Sequence, residues 1–122
     1  MDVEKTMKVL KFGAGYCGPC QAMKKARTLE KLAEAHPEIT TEDIWLQFHP
    51  EGHPNEDEEI EDAPENLLAE KYEVGAIPSI FIVDAEDETL ILAQTEGALS
   101  LAELEKLLVK AQRKLNKLNK ER

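Results

Sequence analysis

The sequence has few basic residues relative to acidic ones, only two cysteines and no long apolar run. Fifteen lysines and arginines stand against 25 aspartates and glutamates in 122 residues, which gives a formal net charge of −10 at pH 7. This charge repels nucleic acids and anionic membrane surfaces, so neither is an expected partner. No stretch approaches the roughly 20 apolar residues that span a bilayer, and residues 1–11 lack the apolar core and cleavage site of a signal peptide. The sequence therefore predicts a cytoplasmic location.

The two cysteines, Cys17 and Cys20, lie within the stretch FGAGYCGPCQAMKK, with Gly18 and Pro19 between them. In a reducing cytosol two cysteines this close are more often redox-active or metal-binding than a permanent crosslink.

A zinc site is the main alternative, because a Cys-X-X-Cys pair supplies half of the four ligands that zinc needs. The remaining ligands would have to come from the three histidines, His36, His49 and His53. None has the spacing of a second half-site, so the sequence favours dithiol chemistry without a metal.

The chain is the size of one domain, and we assign residues 7–122 to it, with residues 1–6 as a flexible tail. The pattern predicts an α/β fold with the order βαβαββα, a mixed four-stranded sheet and three helices on its two faces. The predicted elements are a strand Met7–Gly13, a helix Pro19–His36, a strand Asp43–His49, an acidic loop 50–61, a helix 62–72, strands 76–84 and 89–95, and a long final helix. Capping boxes at Asp62/Glu65 and Ser100/Glu103 are expected to begin the last two helices.

Cys17 falls where the first strand ends and the first helix begins. Unpaired backbone N–H groups and the helix dipole favour negative charge there, which stabilises a thiolate. Cys20, one helical turn further, lies on the same side and can reach back to Cys17. Pro19 suits a first helical turn and Gly18 a tight backbone turn, so the spacing suits reversible closure of a small ring.

Three segments together resemble the thioredoxin family: YCGPC, KYEVGAIPS and EGALSLAELEKLL. The resemblance runs from about Met7 to Ala111. Over this range the chain is similar to the minimal form of the fold, which lacks the family's N-terminal strand and helix. It implies the strand order 2-1-3-4.

By this resemblance, Cys17 is the nucleophile and Cys20 the resolving thiol of a protein-disulfide reductase. The only redox group would be the Cys17–Cys20 disulfide, with no bound cofactor. The expected partners are proteins with disulfides and an electron donor similar to thioredoxin reductase, and the expected state is a monomer. The resemblance implies a cis Ile77–Pro78 bond, and a substrate-binding surface that is made of Tyr16, Gly18, Pro19, Ile77, Pro78 and Gly97.

Lys11 departs from the family pattern, because the family has a buried aspartate six residues before the nucleophile. If Lys11 points into the core, it could accept the proton of Cys20 or stabilise its thiolate. If it instead reaches the surface, it contributes nothing to the chemistry. The family's proline in the active-site helix is also absent, with Lys25 in its place, which predicts a straighter helix.

A second hypothesis is a protein-binding module whose redox activity is incidental. The acidic loop 50–61 and the basic end of the last helix are the segments that could serve it.

Overall fold

The computed structural model describes residues 4–54 and 58–121. Part of the predicted tail 1–6 and the centre of the predicted acidic loop 50–61 lie outside these residues. The elements are β1 Met7–Gly13, α1 Gly18–Lys25, α2 Thr28–Ala35, β2 Ile39–Trp45, α3 Pro64–Lys71, β3 Ser79–Asp84, β4 Ile91–Glu96 and α4 Leu101–Glu121.

The four strands form one mixed sheet in the order β2-β1-β3-β4, which confirms the predicted order. β1 and β2 run parallel, whereas β3 is antiparallel to both β1 and β4. The parallel register pairs Lys11 with Asp43 across the two strands. This pairing places both side chains at the carboxyl end of β1, where the cysteine segment begins.

Alternation along β1 sends its side chains to two separate cores. Met7 and Val9 pack with α1, α2 and α4 on one face. Leu10 and Phe12 pack with α3 on the other, where Phe12 meets Tyr72 and Phe81 with ring centroids 5.8 and 5.7 Å away. Lys11, with the parity of Met7 and Val9, therefore points towards the α1 face.

The predicted helix Pro19–His36 is wrong in one respect, because it is two helices rather than one. α1 ends at Lys25, and Arg27 takes a left-handed conformation with φ 54° and ψ 38° before α2 begins. A continuous helix that buries Cys20 and Met23 would turn Arg27 and Lys31 towards the core. The break changes the helical phase so that Leu29 and Leu32 are buried instead. The helices thus number four rather than three within the described residues, and the expected straighter helix is not found.

β2 occupies Ile39–Trp45 and not the predicted Asp43–His49. It is an edge strand in which Thr40 and Thr41 are partly buried and Glu42 is exposed. The apolar run that led to the prediction continues past the end of the strand.

The predicted capping box at Asp62 does not form, whereas that at Ser100 does. α3 is preceded by Ala63, with ψ 133° and no side-chain cap, because the residue before Pro64 favours an extended backbone. At α4, Ser100 N donates to Glu103 Oε1 at 3.1 Å and Glu103 N donates to Ser100 Oγ at 3.2 Å. The hydrogen bond from the Ser100 backbone lowers the pKa of the Glu103 carboxyl.

Within residues 4–54 and 58–121 there is no helix with both the length and the apolar character needed to cross a membrane.

Candidate active site

Cys17 and Cys20 form a disulfide with a Cα–Cα distance of 5.2 Å. Cys17 is the N-cap of α1, and its Sγ accepts a hydrogen bond from Cys20 N at 3.2 Å. Pro19 lies in the first helical turn, where a backbone N–H has no intrahelical acceptor, so the missing N–H of proline costs no hydrogen bond. Cys17 is 8% exposed and Cys20 is fully buried. Cys17 is therefore the more accessible residue of the pair.

Gly13, which sequence reasoning missed, leaves the space that the buried cysteine fills. A Cβ at this position would lie 2.9 Å from Cys20 Sγ and 3.0 Å from Cys20 Cβ. Gly13 has no positive φ, so the requirement for glycine is one of space. Its only sequence signal is a glycine at the last position of an otherwise apolar strand.

Gly13→Ala is expected to destabilise the protein by about 1–3 kcal/mol, because the added methyl group overpacks the contact with Cys20. Gly15→Ala is a matched control, since a Cβ there would meet nothing within 4 Å. Urea unfolding of the oxidised proteins measures both changes. Equal stability of the two variants would contradict the steric role of Gly13.

Lys11 lies beneath Cys20 and is fully buried, so its side chain does not reach the surface. Its Nζ donates to the backbone O of Cys20 at 3.0 Å and lies 3.2 Å from Asp43 Oδ1. It also lies 4.8 Å from the ring centroid of Trp45. Sequence reasoning missed Asp43, which could have been found only from the register of β1 with β2.

The Ile77–Pro78 peptide bond is cis, as predicted. Ser79 pairs with Phe12, so the cis bond lies beside the end of β1 from which the cysteine segment departs. Gly97 N donates to Pro78 O at 2.7 Å, and Gly97 has φ 97°. A Cβ on Gly97 would meet no atom within 4 Å. Glycine is favoured there by the backbone angle, not by crowding.

A groove of about 900 Å³ begins at Tyr16 and Ile77 and runs between α3 and the segment that follows β2. Tyr16 is 74% exposed and packs edge-on against Phe48, with ring centroids 5.6 Å apart. Leu46 and Ile60 also line the groove. Its near end therefore adjoins the redox disulfide.

Asn66, a buried residue of α3, holds the wall of this groove that the segment after β2 forms. Its side-chain oxygen accepts from Gln47 N at 2.8 Å, and its amide nitrogen donates to Gln47 O and Ile60 O, each at 2.8 Å. Ile60 N in turn donates to Gln47 O at 3.0 Å, and Phe48 bridges Glu59. One side chain thus satisfies backbone groups of both arms of the segment 46–61. Sequence reasoning found neither Asn66 nor Phe48.

No group of three or more histidine, cysteine, aspartate or glutamate side chains that could hold a metal ion occurs in the part of the chain that the structure describes. His49 and His53 stack on each other with ring centroids 4.3 Å apart.

The family model of the thioredoxin-like domain matches residues 3–112 of the sequence. The chain therefore belongs to the thioredoxin-like family. This fold with a closely spaced cysteine pair indicates a thiol–disulfide oxidoreductase. No curated protein matches the sequence closely enough to count as a relative.

Several solved thioredoxin structures share the fold. Spinach chloroplast thioredoxin f is 22% identical with a TM-score of 0.57, over 91% of this chain and 78% of its own. The germline-specific thioredoxin Deadhead of Drosophila melanogaster is 24% identical with a TM-score of 0.58, over 88% and 81%. Oxidised thioredoxin O2 of Arabidopsis thaliana is 17% identical with a TM-score of 0.58, over 87% and 75%. Identities this low show a common fold and do not transfer a substrate.

Proposed function

We propose that the protein reduces disulfides of other proteins by cycling Cys17 and Cys20 between dithiol and disulfide. The observation that carries the proposal is the asymmetry of the pair at the start of α1. Cys17, the helix N-cap, is 8% exposed, whereas Cys20 is fully buried. This arrangement suits one thiol to attack a partner and the other to resolve the product.

In the proposed cycle the Cys17 thiolate attacks one sulfur of the substrate disulfide, and the other substrate sulfur leaves as a thiol after taking up a proton. Cys20, having lost its proton, then attacks Cys17 Sγ in the mixed disulfide. The second substrate sulfur leaves and becomes a thiol by taking up a proton, which balances the proton lost by Cys20, and the Cys17–Cys20 disulfide has formed. Two electrons have passed to the substrate. A dithiol donor similar to thioredoxin reductase then supplies two electrons that reduce the Cys17–Cys20 disulfide again. We also propose that the protein is cytoplasmic and monomeric.

The substrate-binding surface in this proposal surrounds Cys17. Tyr16, Gly18 and Pro19 present the exposed side of the cysteine segment. The backbone N–H and C=O groups of Ile77, next to Pro78, can pair with an extended substrate. Gly97, whose N–H donates a hydrogen bond to Pro78 O, borders the opposite side of this surface. The location of this surface at the end of β1 supports the assignment.

Lys11 acts on Cys20 in this proposal through its positive charge. Of the two roles considered from the sequence, stabilisation of the thiolate is the one that suits an ion pair, and Lys11 Nζ lies 3.2 Å from Asp43 Oδ1 and donates to the Cys20 carbonyl. An ammonium beneath Cys20 favours the thiolate that must attack the mixed disulfide. Lys11 is therefore proposed to stabilise that thiolate, with Asp43 as its counter-charge.

The redox potential tests the direction of the proposed reaction. Equilibration with glutathione buffers, followed by mass measurement after thiol alkylation, is expected to give a potential close to the approximately −270 mV of thioredoxin. A potential above about −200 mV would contradict the role of a reductant. If the protein instead serves mainly as a binding module, its cellular phenotype would survive loss of both cysteines.

A further inference from the structure

The groove that begins at Tyr16 and Ile77 continues the surface on which a substrate of the proposed reaction would lie. A polypeptide whose disulfide reaches Cys17 comes close to this end of the groove, because Tyr16, which lines it, is the residue next to Cys17 in the sequence. The inference below rests on the proposed function, and it concerns the chemistry of the residues that flank the substrate disulfide.

The groove has an apolar floor and an acidic rim. Leu46, Phe48, Ile60 and Val74 line the floor, together with the exposed ring of Tyr16. An exposed aromatic ring and an apolar floor suit the aliphatic stems of lysine and arginine, and a tyrosine face also attracts their charged ends.

Three glutamates on the rim carry charge of one sign. Glu59 and Glu61 come from the segment 46–61 and Glu70 comes from α3, and all three are exposed. The groove lining includes no lysine, arginine or histidine. None of the three carboxylates makes an ion pair with a residue in the ranges 4–54 and 58–121. Carboxylates on both sides of a concave surface make its potential negative and attract cations towards it.

The wall that carries Glu59 and Glu61 is fixed in position. Asn66 holds backbone groups on both arms of the segment, and the Phe48–Glu59 bridge joins these arms. A wall that is already ordered before binding lowers the entropic cost of binding.

We propose that this groove binds a basic, extended segment next to the substrate disulfide, so that the protein prefers disulfides flanked by lysine and arginine. The rim glutamates are specificity residues in this assignment and take no part in the exchange of electrons. They act on the rate of encounter with the substrate and on the strength of binding, so their effect depends on ionic strength.

The test compares three disulfide peptides of equal length, whose residues next to the disulfide are lysine and arginine, serine, or glutamate. At low ionic strength kcat/KM for the basic peptide is expected to exceed that for the acidic peptide by roughly tenfold, which three screened surface charge pairs can supply. The triple variant Glu59→Gln/Glu61→Gln/Glu70→Gln is expected to remove most of this preference, as is added salt. Glu4→Gln/Glu30→Gln/Glu86→Gln changes the net charge equally at exposed positions outside the groove, and serves as the matched control.

Equal rates for the three peptides, or equal loss of preference in the triple variant and its control, would overturn the assignment. An uncharged small disulfide, hydroxyethyl disulfide, separates this failure from failure of the proposed function. If it is reduced while flanking charge has no effect, the groove assignment fails and the reductase stands. If no disulfide is reduced, the reductase fails. The groove is then judged by fluorescence anisotropy with a cysteine-free basic peptide, which must bind the wild type and not the triple variant.

Discussion

Cys17→Ser is expected to reduce disulfide reduction to the rate without protein, whereas Cys20→Ser is expected to attack once and stop at the mixed disulfide. The difference follows from the burial of the two residues, because Cys17 is 8% exposed and Cys20 is fully buried. A substrate disulfide can reach only the first without a change in structure. Without Cys20 no thiol remains to attack Cys17 Sγ, so the intermolecular bond persists.

Insulin turbidity measures turnover, and nonreducing electrophoresis or intact mass measures the trapped adduct. The adduct of Cys20→Ser should disappear on addition of dithiothreitol and should be absent from Cys17→Ser/Cys20→Ser, which controls for noncovalent association. An adduct on Cys17→Ser as abundant as that on Cys20→Ser would contradict the assignment of Cys17 as nucleophile. Sequencing the proteins captured from cells by Cys20→Ser then identifies the natural substrates.

Lys11→Met and Asp43→Asn are expected to shift the pH dependence of resolution in opposite directions. Lys11→Met removes the positive charge beneath Cys20, so the rate of resolution should reach half its maximum about one pH unit higher and fall roughly tenfold at neutral pH. Asp43→Asn leaves the Lys11 charge without its counter-charge, which favours the Cys20 thiolate and moves the midpoint to lower pH. The measurement is the release of substrate thiol from a preformed mixed disulfide in a stopped-flow instrument.

Lys24→Met is the matched control, because Lys24 also lies over Trp45, at 5.1 Å from the ring centroid, but is exposed. Solvent screens its charge, so this variant should shift the midpoint much less. Unchanged profiles for Lys11→Met would remove Lys11 from the chemistry. Midpoints that move in the same direction for Lys11→Met and Asp43→Asn would contradict the ion-pair account. Urea unfolding of each variant verifies that the comparison is made between folded proteins.

The sequence predicted those features that depend on local signals. β1 is an apolar run ended by Gly13, the start of α4 is a Ser100/Glu103 capping box, and the cis bond follows from a segment that resembles its family counterpart. The strand order follows from the same resemblance. These signals also sufficed to locate the cysteine pair at the end of β1.

The features that the sequence missed or left open depend on contacts between distant segments, or on local signals that are weak or that conflict. The break at Arg27 has neither glycine nor proline to mark it, and only the change in helical phase between Met23 and Leu29 hints at it. The burial of Lys11 depends on Asp43, which lies 32 positions away and comes close through the parallel register. The predicted start of α3 failed because Pro64 sets the conformation of Ala63 more strongly than Asp62 can cap it.

The hydrogen bonds of Asn66 allow the chain between Gln47 and Ile60 to vary in evolution independently of the cysteine segment. Since Asn66 holds the segment 46–61 at Gln47 and Ile60, the chain between those residues can gain or lose length without pulling on β2 or α3. New residues there would change the length of the chain beside the groove, while the cysteines lie on a different segment. Asn66 thus lets the border of the groove vary in length beside an unchanged cysteine pair.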